Sequence, residues 1–329
     1  MHAALRRAAT GVARRRNSGT PPAHSRVVES TPKNITTGTM ASSATTTTTT
    51  HTAPKHMPAD PYPHGLQSIG GCTLQATLAR LDAAVAVGPL PSAGSAFIRP
   101  ASVLYGLDGK QRRWDVIEAH ASVGVVLYHE NLDAFLLVRQ FRPAVYATLA
   151  ATEAASSSSS SAPPPPPPPL HAAFTYELCA GLCDKEKSMQ EIAAEEILEE
   201  CGFVVDSKSV QLVTQAVSSA GTAGAPHALF FARVNDAMRA ANSEGNGGGL
   251  ADTGEAIEVL ALPFDKAMDL VLDGTRLSMS PGLQFGLTWA RGELAEGRLG
   301  GRGKGKKGGG DDGEGFLTQT LNLKPVLPA

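Results

Sequence analysis

The sequence contains no apolar stretch long enough to span a bilayer, which needs about 20 consecutive apolar residues. Its formal net charge is only −2, so no overall field attracts nucleic acid or an anionic membrane surface. Its four cysteines, Cys72, Cys179, Cys183 and Cys201, include no Cys-x-x-Cys pair and have no neighbouring histidine that would complete a zinc site. We therefore expect reduced, buried thiols and a protein that binds neither nucleic acid nor membrane.

Acidic residues are also absent from the N-terminal segment, where six arginines precede Glu29. A basic start that contains Ala and Ser but no apolar segment resembles an organelle transit peptide more than a secretory signal. A basic tail without a targeting role, or a start at Met40 or Met57, is the alternative. The protein is therefore expected in the cytoplasm, or in a mitochondrion or chloroplast if this segment directs import.

Low-complexity tracts divide the chain. Residues 1–65 are rich in Thr, Ser, Pro and Arg without periodicity and are expected to be disordered. A run of serines and then seven prolines at about 150–170 is interpreted as an insertion in a surface loop, with the prolines in an extended polyproline II spacer. Residues 299–315 form a flexible Gly-rich segment before an apolar tail at 316–329. The remainder, roughly 200 residues, is enough for a normal core.

The pattern of apolar residues and turn signals predicts an α/β fold, with a mixed sheet sandwiched by helices. A small N-terminal β region at 66–119 would precede the main domain at 120–298, and turns are expected at Asp108-Gly109 and Gly181. The predicted strands are 97–105, 114–119, 122–128, 134–141, 174–179, 210–217, 227–234 and 256–262, and the predicted helices are 188–201, 264–272 and 281–293.

The helix at 188–201 carries the most informative pattern. Ser188 and Glu191 have the spacing of a capping box, and Gly202 supplies a stop signal. Three carboxylates at i, i+3 and i+4 lie on one face, where like charges repel: Glu196, Glu199 and Glu200. A solvated acidic face would explain this run, and so would a site for a hard divalent cation, because Mg²⁺ prefers carboxylate oxygens.

The residues around these glutamates resemble the box of the Nudix hydrolase family. That box is Gly, five residues, Glu, seven residues, then Arg-Glu-apolar-x-Glu-Glu-x-Gly-apolar. Here Gly181 stands at its head and residues 195–203 match its helical half, with two departures. Lys187 occupies the position of the first glutamate, and Glu195 occupies the position of the arginine.

The flanking segments 138–146 and 176–182 resemble the ADP-sugar/UDP-sugar pyrophosphatase branch, and most of all its UDP-glucose pyrophosphatases. Trp114-Asp115 and residues 254–259 are similar to that branch as well, so the resemblance covers about residues 95–295 without the Ser/Pro tract. It implies a Nudix α/β/α sandwich preceded by a small β-sheet through which two chains form a homodimer.

The resemblance also implies a metal site. Mg²⁺, with Mn²⁺ as a substitute, would be held by Glu196, Glu199, Glu200 and the Ala180 carbonyl. Glu199 is assigned a catalytic role as well as a metal-binding one. No organic cofactor is expected.

Substrate-binding residues follow from the same resemblance. Arg142 would contact the substrate phosphates, because a guanidinium group pairs with phosphate oxygens in a planar, bidentate way. Arg139 could do the same. It lies three residues earlier and would point to the opposite face of a regular strand, which neither favours nor excludes this role. We favour Arg142 and expect Arg139 at the surface or in an ion pair. Trp114 is a candidate for stacking on the base of the nucleotide, with a core or dimer contact as the alternative.

The resemblance further implies a general base on a mobile loop before a late strand, which here is the glycine-rich stretch 245–254 with Glu255. Glu255 is the candidate and Asp252 the alternative, and either could instead be a solvated loop acid. The predicted reaction is Mg²⁺-dependent hydrolysis of a nucleoside diphosphate sugar, with UDP-glucose giving UMP and glucose 1-phosphate. Hydrolysis of ADP-ribose or an ADP-sugar is one alternative, and a non-enzymatic Nudix-fold module that binds nucleotides is another.

Overall fold

The computed structural model describes residues 49–301 except 91–93, 96–97, 158–165, 242–246, 251, 253 and 274–277. Its strands are β1 (Thr49–Thr52), β2 (Gln67–Gly71), β3 (Ala84–Val87), β4 (Arg99–Leu107), β5 (Lys110–Glu118), β6 (Ser122–His129), β7 (Ala134–Phe141), β8 (Phe174–Glu177), β9 (Cys179–Leu182), β10 (Gln211–Ser218), β11 (Ala225–Val234), β12 (Glu258–Pro263) and β13 (Ser278–Met279). Its α-helices are α1 (Leu74–Arg80), α2 (Pro143–Ser157), α3 (Met189–Cys201), α4 (Ala267–Leu272) and α5 (Pro281–Ala295). No helix in the described ranges combines the length and apolarity needed to cross a membrane.

A mixed sheet forms the centre of the fold. Its main path through the described residues runs β10-β11-β6-β7-β12-β2, and the short strands β8, β9 and β13 attach to it through β7 and β6. The β6–β11 and β8–β13 pairs are parallel and the other pairs of this sheet are antiparallel. The predicted mixed sheet is therefore confirmed.

Helices cover both faces of this sheet, because successive side chains of a strand point to opposite faces. In β6, Val123 and Val125 belong to the cluster that contains the buried face of α3. Val126 and Tyr128 belong to the other cluster, which contains the buried face of α5. This is the predicted α/β/α sandwich.

The limits of α3 follow the sequence signals. The Ser188 side chain accepts a hydrogen bond from the Glu191 N–H, and the Glu191 carboxylate accepts one from the Ser188 N–H in return. Gly202 ends the helix with φ +77°, a left-handed conformation that glycine adopts at low cost. The capping box and the glycine stop are both confirmed.

The N-terminal region differs from the prediction in two ways. Ordered structure begins before residue 65: β1 pairs with β3, and a 3₁₀ turn spans Pro63–Gly65. In addition, β2 is not part of a separate small sheet, because it pairs with β12 at the edge of the central sheet. Composition suggested disorder up to residue 65, but apolar contacts such as that of buried Ala53 stabilise residues 49–65. Residues 1–48, which carry the transit-peptide hypothesis, lie outside the described residues.

Strands β4 and β5 form a two-stranded hairpin of their own. Asp108 and Gly109 connect them with φ values of +54° and +70°, and two positive φ values are the signature of a type I′ turn. The predicted hairpin turn is thus confirmed. Its side chains are largely exposed, and six large apolar ones are at least 39% exposed: Val103, Leu104, Tyr105, Leu107, Trp114 and Ile117.

Helix α2 was not predicted, since the helical layer was expected only after the Ser/Pro tract. The helix runs into that tract, and its inner side packs through Tyr146 and Ala150 on Leu170 and Phe174 beyond it. Small alanines and threonines give little apolar periodicity, so the sequence hides this helix. The centre of the tract (158–165) and the C-terminal segment and tail (302–329) lie outside the described residues.

Candidate active site

Glu196, Glu199 and Glu200, called the glutamate cluster from here on, lie in the second half of α3. Glu200 is only 6% exposed, and its Oε2 atom accepts a hydrogen bond of 3.0 Å from the Ala180 N–H on β9. Burial, together with the neighbouring charge of Glu196, raises the pKa of Glu200 to about 8 against an ordinary value of 4.5. A solvated acidic face therefore does not describe Glu200.

Glu196 lies against the backbone of β9 at Gly181. A Cβ atom at position 181 would overlap the Glu196 carboxylate and lie 2.6 Å from its Cγ, so only glycine leaves room for this side chain. Burial and the charge of Glu199 raise the pKa of Glu196 to about 7. Gly181 was predicted as a turn but lies in the middle of β9. Glycine is needed at this position because it has no side chain that would overlap Glu196, and not because of an unusual φ angle.

Electrostatic interactions couple neighbouring members of the glutamate cluster. The charge of Glu199 raises the pKa of Glu196, and the charge of Glu196 raises that of Glu200. Within the described ranges, no set of three His, Cys, Asp or Glu side chains is already arranged to hold a metal ion. The donors nevertheless fit a hard divalent cation, since neighbouring carboxylates with mutually repelling charge are what such an ion neutralises.

The backbone groups of Ala180 face the glutamate cluster. Its N–H points away from β6 and towards Glu200, and the N–H and C=O of one antiparallel strand residue face the same edge. The Ala180 carbonyl is therefore directed to the side of β9 on which the glutamate cluster lies.

The glycine-rich loop before β12 is attached to the end of α3. Gly248 N–H donates to the Glu200 carbonyl at 2.8 Å, and Gly249 N–H donates to the Glu199 carbonyl at 3.1 Å. These are carbonyls of the last helical turn, which have no partner within a helix. Residues 247–249 all have positive φ, which favours glycine. The contact of this loop with α3 was not anticipated.

The position of Glu255 is set by the same loop. Its Oε2 atom accepts a 2.8 Å hydrogen bond from the Leu250 N–H, and the side chain is exposed. Its charge raises the pKa of both Glu196 and Glu200, so the loop brings this carboxylate into the electrostatic environment of the glutamate cluster. Asp252, the alternative base, is exposed in the same loop, and no described hydrogen bond or ion pair joins it to the cluster.

Arg142 lies on the same side of the fold, where Glu177 holds it. Its Nε and Nη2 atoms donate to the two oxygens of the Glu177 carboxylate at 2.7 and 2.6 Å. This bidentate pair raises the pKa of Arg142, and the charges of Glu200 and Glu255 raise it further. The Glu177 side chain, 15% exposed, is a residue that sequence reasoning missed. In the register of β7 and β8, Glu177 lies opposite Val138, so strand alternation alone gave no signal for its contact with Arg142.

Arg139 is not at the surface. It is 2% exposed and donates from Nε to Glu258 Oε2 at 2.9 Å, so the predicted ion pair is present but buried. Its guanidinium group lies between the rings of Tyr62 and Tyr176, 5.0 and 5.5 Å from their centroids. Arg139 therefore links the N-terminal segment to β12, and it points away from Arg142 as the strand pattern predicted.

Trp114 lies apart from the other candidate residues. It is 53% exposed on the β4–β5 hairpin, and its indole N–H donates to the Gly221 carbonyl at 2.8 Å. None of the described hydrogen bonds or ion pairs connects it to the glutamate cluster or to Arg142. A core position is excluded by the exposure, which leaves the base-stacking and dimer-contact hypotheses.

The two departures from the box form a pair. Lys187 is ion-paired with Glu195, so a positive charge at the first position meets a negative charge at the second. The pair is partly exposed, with 44% and 30% of the two side chains accessible. The charges of the two departures therefore compensate each other, and Lys185 is a second partner of Glu195.

Adding one methyl group at Gly181 tests this site sterically. We expect Gly181→Ala to lower turnover by about 100-fold, since a displacement of about 1 Å in a catalytic group costs that much. The melting temperature should change little, because Glu196 can rotate outward. Gly292→Ala on α5 is the matched control, since a Cβ atom at position 292 meets nothing within 4 Å. Wild-type turnover in Gly181→Ala would show that the position of Glu196 is irrelevant.

No protein-family profile matches the chain, but several known proteins are similar to it in sequence. The bovine uridine diphosphate glucose pyrophosphatase NUDT14 is 36% identical over 215 residues, which are 62% of this chain and 92% of that protein. Its mouse counterpart is 34% identical over 64% of this chain and 94% of that protein.

This chain belongs to the Nudix hydrolase family. The GDP-mannose pyrophosphatase of Klebsiella pneumoniae is 32% identical over 46% of this chain and 61% of that protein. The crystal structure of an ADP compounds hydrolase aligns with a TM-score of 0.41 and 15% identity, over 61% of this chain and 89% of that one. Membership of a hydrolase family favours an enzyme over the non-enzymatic binding module.

Proposed function

We propose that this Nudix hydrolase cleaves the pyrophosphate bond of a nucleoside diphosphate sugar, and that UDP-glucose is its substrate, giving UMP and glucose 1-phosphate. The observation that supports this most is the glutamate cluster, in which buried Glu200 and half-buried Glu196 both lie against the backbone of β9. The choice of UDP-glucose is supported by the two mammalian relatives, which are named for that substrate and are matched over nearly their whole length.

Glu196, Glu199, Glu200 and the Ala180 carbonyl are the proposed ligands of Mg²⁺, with Mn²⁺ as a substitute. A divalent ion bound there would supply positive charge to the phosphate oxygens and a site for the attacking water. Burial of Glu200 helps to fix the orientation of its carboxylate, and the Ala180 N–H holds one of its oxygens.

Glu255 is the proposed general base, and Arg142 the proposed phosphate contact. The Glu255 carboxylate would accept the proton of the attacking water, and its acceptor bond to the Leu250 N–H keeps it in position. Glu177 engages Nε and Nη2 of Arg142, which keeps the guanidinium group in place and leaves Nη1 for a phosphate oxygen. Charge that develops on the transferring group would be balanced there.

The substrate assignment is tested by comparing kcat/KM for UDP-glucose, ADP-ribose, ADP-glucose and GDP-mannose in Mg²⁺-containing buffer, with products identified. We expect the highest value for UDP-glucose, with UMP and glucose 1-phosphate as products. A higher value for ADP-ribose would favour the adenine alternative. Release of UDP with free glucose would contradict cleavage between the phosphates.

The exposed hairpin is the proposed dimer contact. Its apolar side chains, including Leu104 at 63% exposure and Trp114, form the kind of surface that a second copy of the chain would bury. Light scattering should give twice the chain mass of 34.1 kDa. Leu104→Glu is expected to give the mass of one chain, whereas Leu212→Glu, on the edge strand β10, should leave the dimer unchanged. A single-chain mass for the wild type would reject the dimer.

A further inference from the structure

Two lysines in the loop between β9 and α3 share one carboxylate. Lys185 Nζ lies 3.2 Å from Glu195 Oε2, and Lys187 pairs with the other oxygen of the same group. The two side chains are similarly accessible, 43% for Lys185 and 44% for Lys187. The two lysines therefore have similar exposure and share Glu195, so they can be compared by the other side chains that each one contacts.

Only one of these lysines also reaches the glutamate cluster. Lys185 Nζ is 3.7 Å from Glu199 Oε1. Among the ion pairs of the described residues, this is the one that joins a Lys or Arg to a member of the cluster. Arg142, the other cation on this side, is engaged by Glu177.

We propose that Lys185 is a further substrate-binding residue whose ammonium group transfers from Glu199 to a non-bridging phosphate oxygen when metal and diphosphate bind. This inference rests on the proposed function of the glutamate cluster. A lysine suits the transfer because it carries a compact charge and three donors on a flexible four-carbon stem. Its accessibility leaves the side chain free to turn, and Glu195 keeps its starting position beside the cluster.

Because Lys185 would change partners, it should weaken metal binding in the free protein and strengthen substrate binding in the complex. In the metal-free protein its charge competes with a divalent ion for Glu199, so its removal should strengthen metal binding. In the substrate complex its charge faces an anionic phosphate, so its removal should weaken substrate binding. A lysine with a merely structural role would shift both properties in the same direction, or neither.

The test compares Lys185→Gln with Lys187→Gln, because both lose a partner of Glu195 and only the first loses a partner of Glu199. The Mn²⁺ dissociation constant is measured by calorimetry on the metal-free proteins. For Lys185→Gln we expect it to fall about two- to fivefold, the range of an exposed ion pair. The KM for UDP-glucose at saturating Mg²⁺ should rise about tenfold, as for loss of one charge-assisted hydrogen bond, with kcat within about threefold.

Lys187→Gln should leave both quantities within about twofold of wild type, and Lys185→Arg should restore most of the KM. Equal behaviour of the two glutamine variants, in a wild-type background that binds Mn²⁺ and hydrolyses UDP-glucose, would overturn the role of Lys185 alone. A wild-type protein that neither binds Mn²⁺ nor hydrolyses any nucleotide sugar would overturn the proposed function and this inference together.

Discussion

Glu200→Gln is expected to lower kcat for UDP-glucose by about 1000-fold while the protein remains folded. Glutamine keeps the shape of the side chain and its acceptor oxygen for the Ala180 N–H, but removes the charge that would hold a cation. A metal ion contributes several kcal/mol of charge stabilisation in the transition state, and each 1.36 kcal/mol corresponds to a factor of ten. Near-normal Mg²⁺-dependent turnover would refute the metal assignment.

The pH dependence of the melting temperature tests separately whether Glu200 is a buried, unpaired carboxylate. The pKa of Glu200 is raised to about 8 and that of Glu196 to about 7, both above the ordinary value of 4.5. The folded state therefore disfavours ionisation, so these groups reduce the stability of the metal-free protein progressively as pH rises from about 4.5 through 8. In EDTA, the melting temperature of Glu200→Gln should fall less between pH 5.5 and 8.5 than that of the wild type. A larger fall would contradict the burial of an unpaired charge.

Glu255→Gln is expected to lower kcat by about 100- to 1000-fold, the usual contribution of a general base. Its affinity for Mn²⁺ should stay within a fewfold of wild type, because Glu255 is exposed on the loop and is not a proposed ligand. This combination separates Glu255 from the glutamate cluster, whose variants should lose both properties. Rate measurements between pH 5 and 9 on the wild type and the variant, with Mn²⁺ titrations, provide the readouts.

Asp252→Asn is the matched variant in the same loop, and it should retain most of the wild-type kcat. If Asp252→Asn were the inactive protein and Glu255→Gln the active one, the general base would have to be reassigned. Equal, small effects of both would place the base outside this loop.

The local features of α3 could be predicted because their causes are local. Ser188, Glu191 and Gly202 act within a few residues of the helix ends, and the spacing of the glutamate cluster along one face is fixed by helix geometry. Strand alternation likewise separated Arg139 from Arg142. These parts of the fold and site needed no knowledge of distant contacts.

The remaining features depend on contacts between segments far apart in the chain. Burial of Glu200 comes from its position against β9, and the attachment of residues 247–249 to α3 joins groups nearly fifty residues apart. The pairing of β2 with β12 spans an even longer separation. Composition and periodicity report on a segment alone, so they describe a glycine-rich loop as mobile and cannot show what it binds.

The ion pair between Lys187 and Glu195 could be predicted only in part, since the sequence shows the two charges but not the contact between them. Against the box, each residue is a departure that weakens the resemblance, and only the contact between them shows that one offsets the other. Opposite charges at two unusual positions were visible in the sequence, and asking whether those positions meet would have found the pair.

Binding of Mn²⁺ to the metal-free protein, followed by electron paramagnetic resonance, decides whether the carboxylates on α3 form a metal site. We expect wild type and Glu255→Gln to remove free Mn²⁺ from solution with similar affinities, whereas Glu200→Gln and Glu196→Gln should bind it at least tenfold more weakly. If all four proteins bound Mn²⁺ equally, or none did, the carboxylates on α3 would not form the metal site and this account would be wrong.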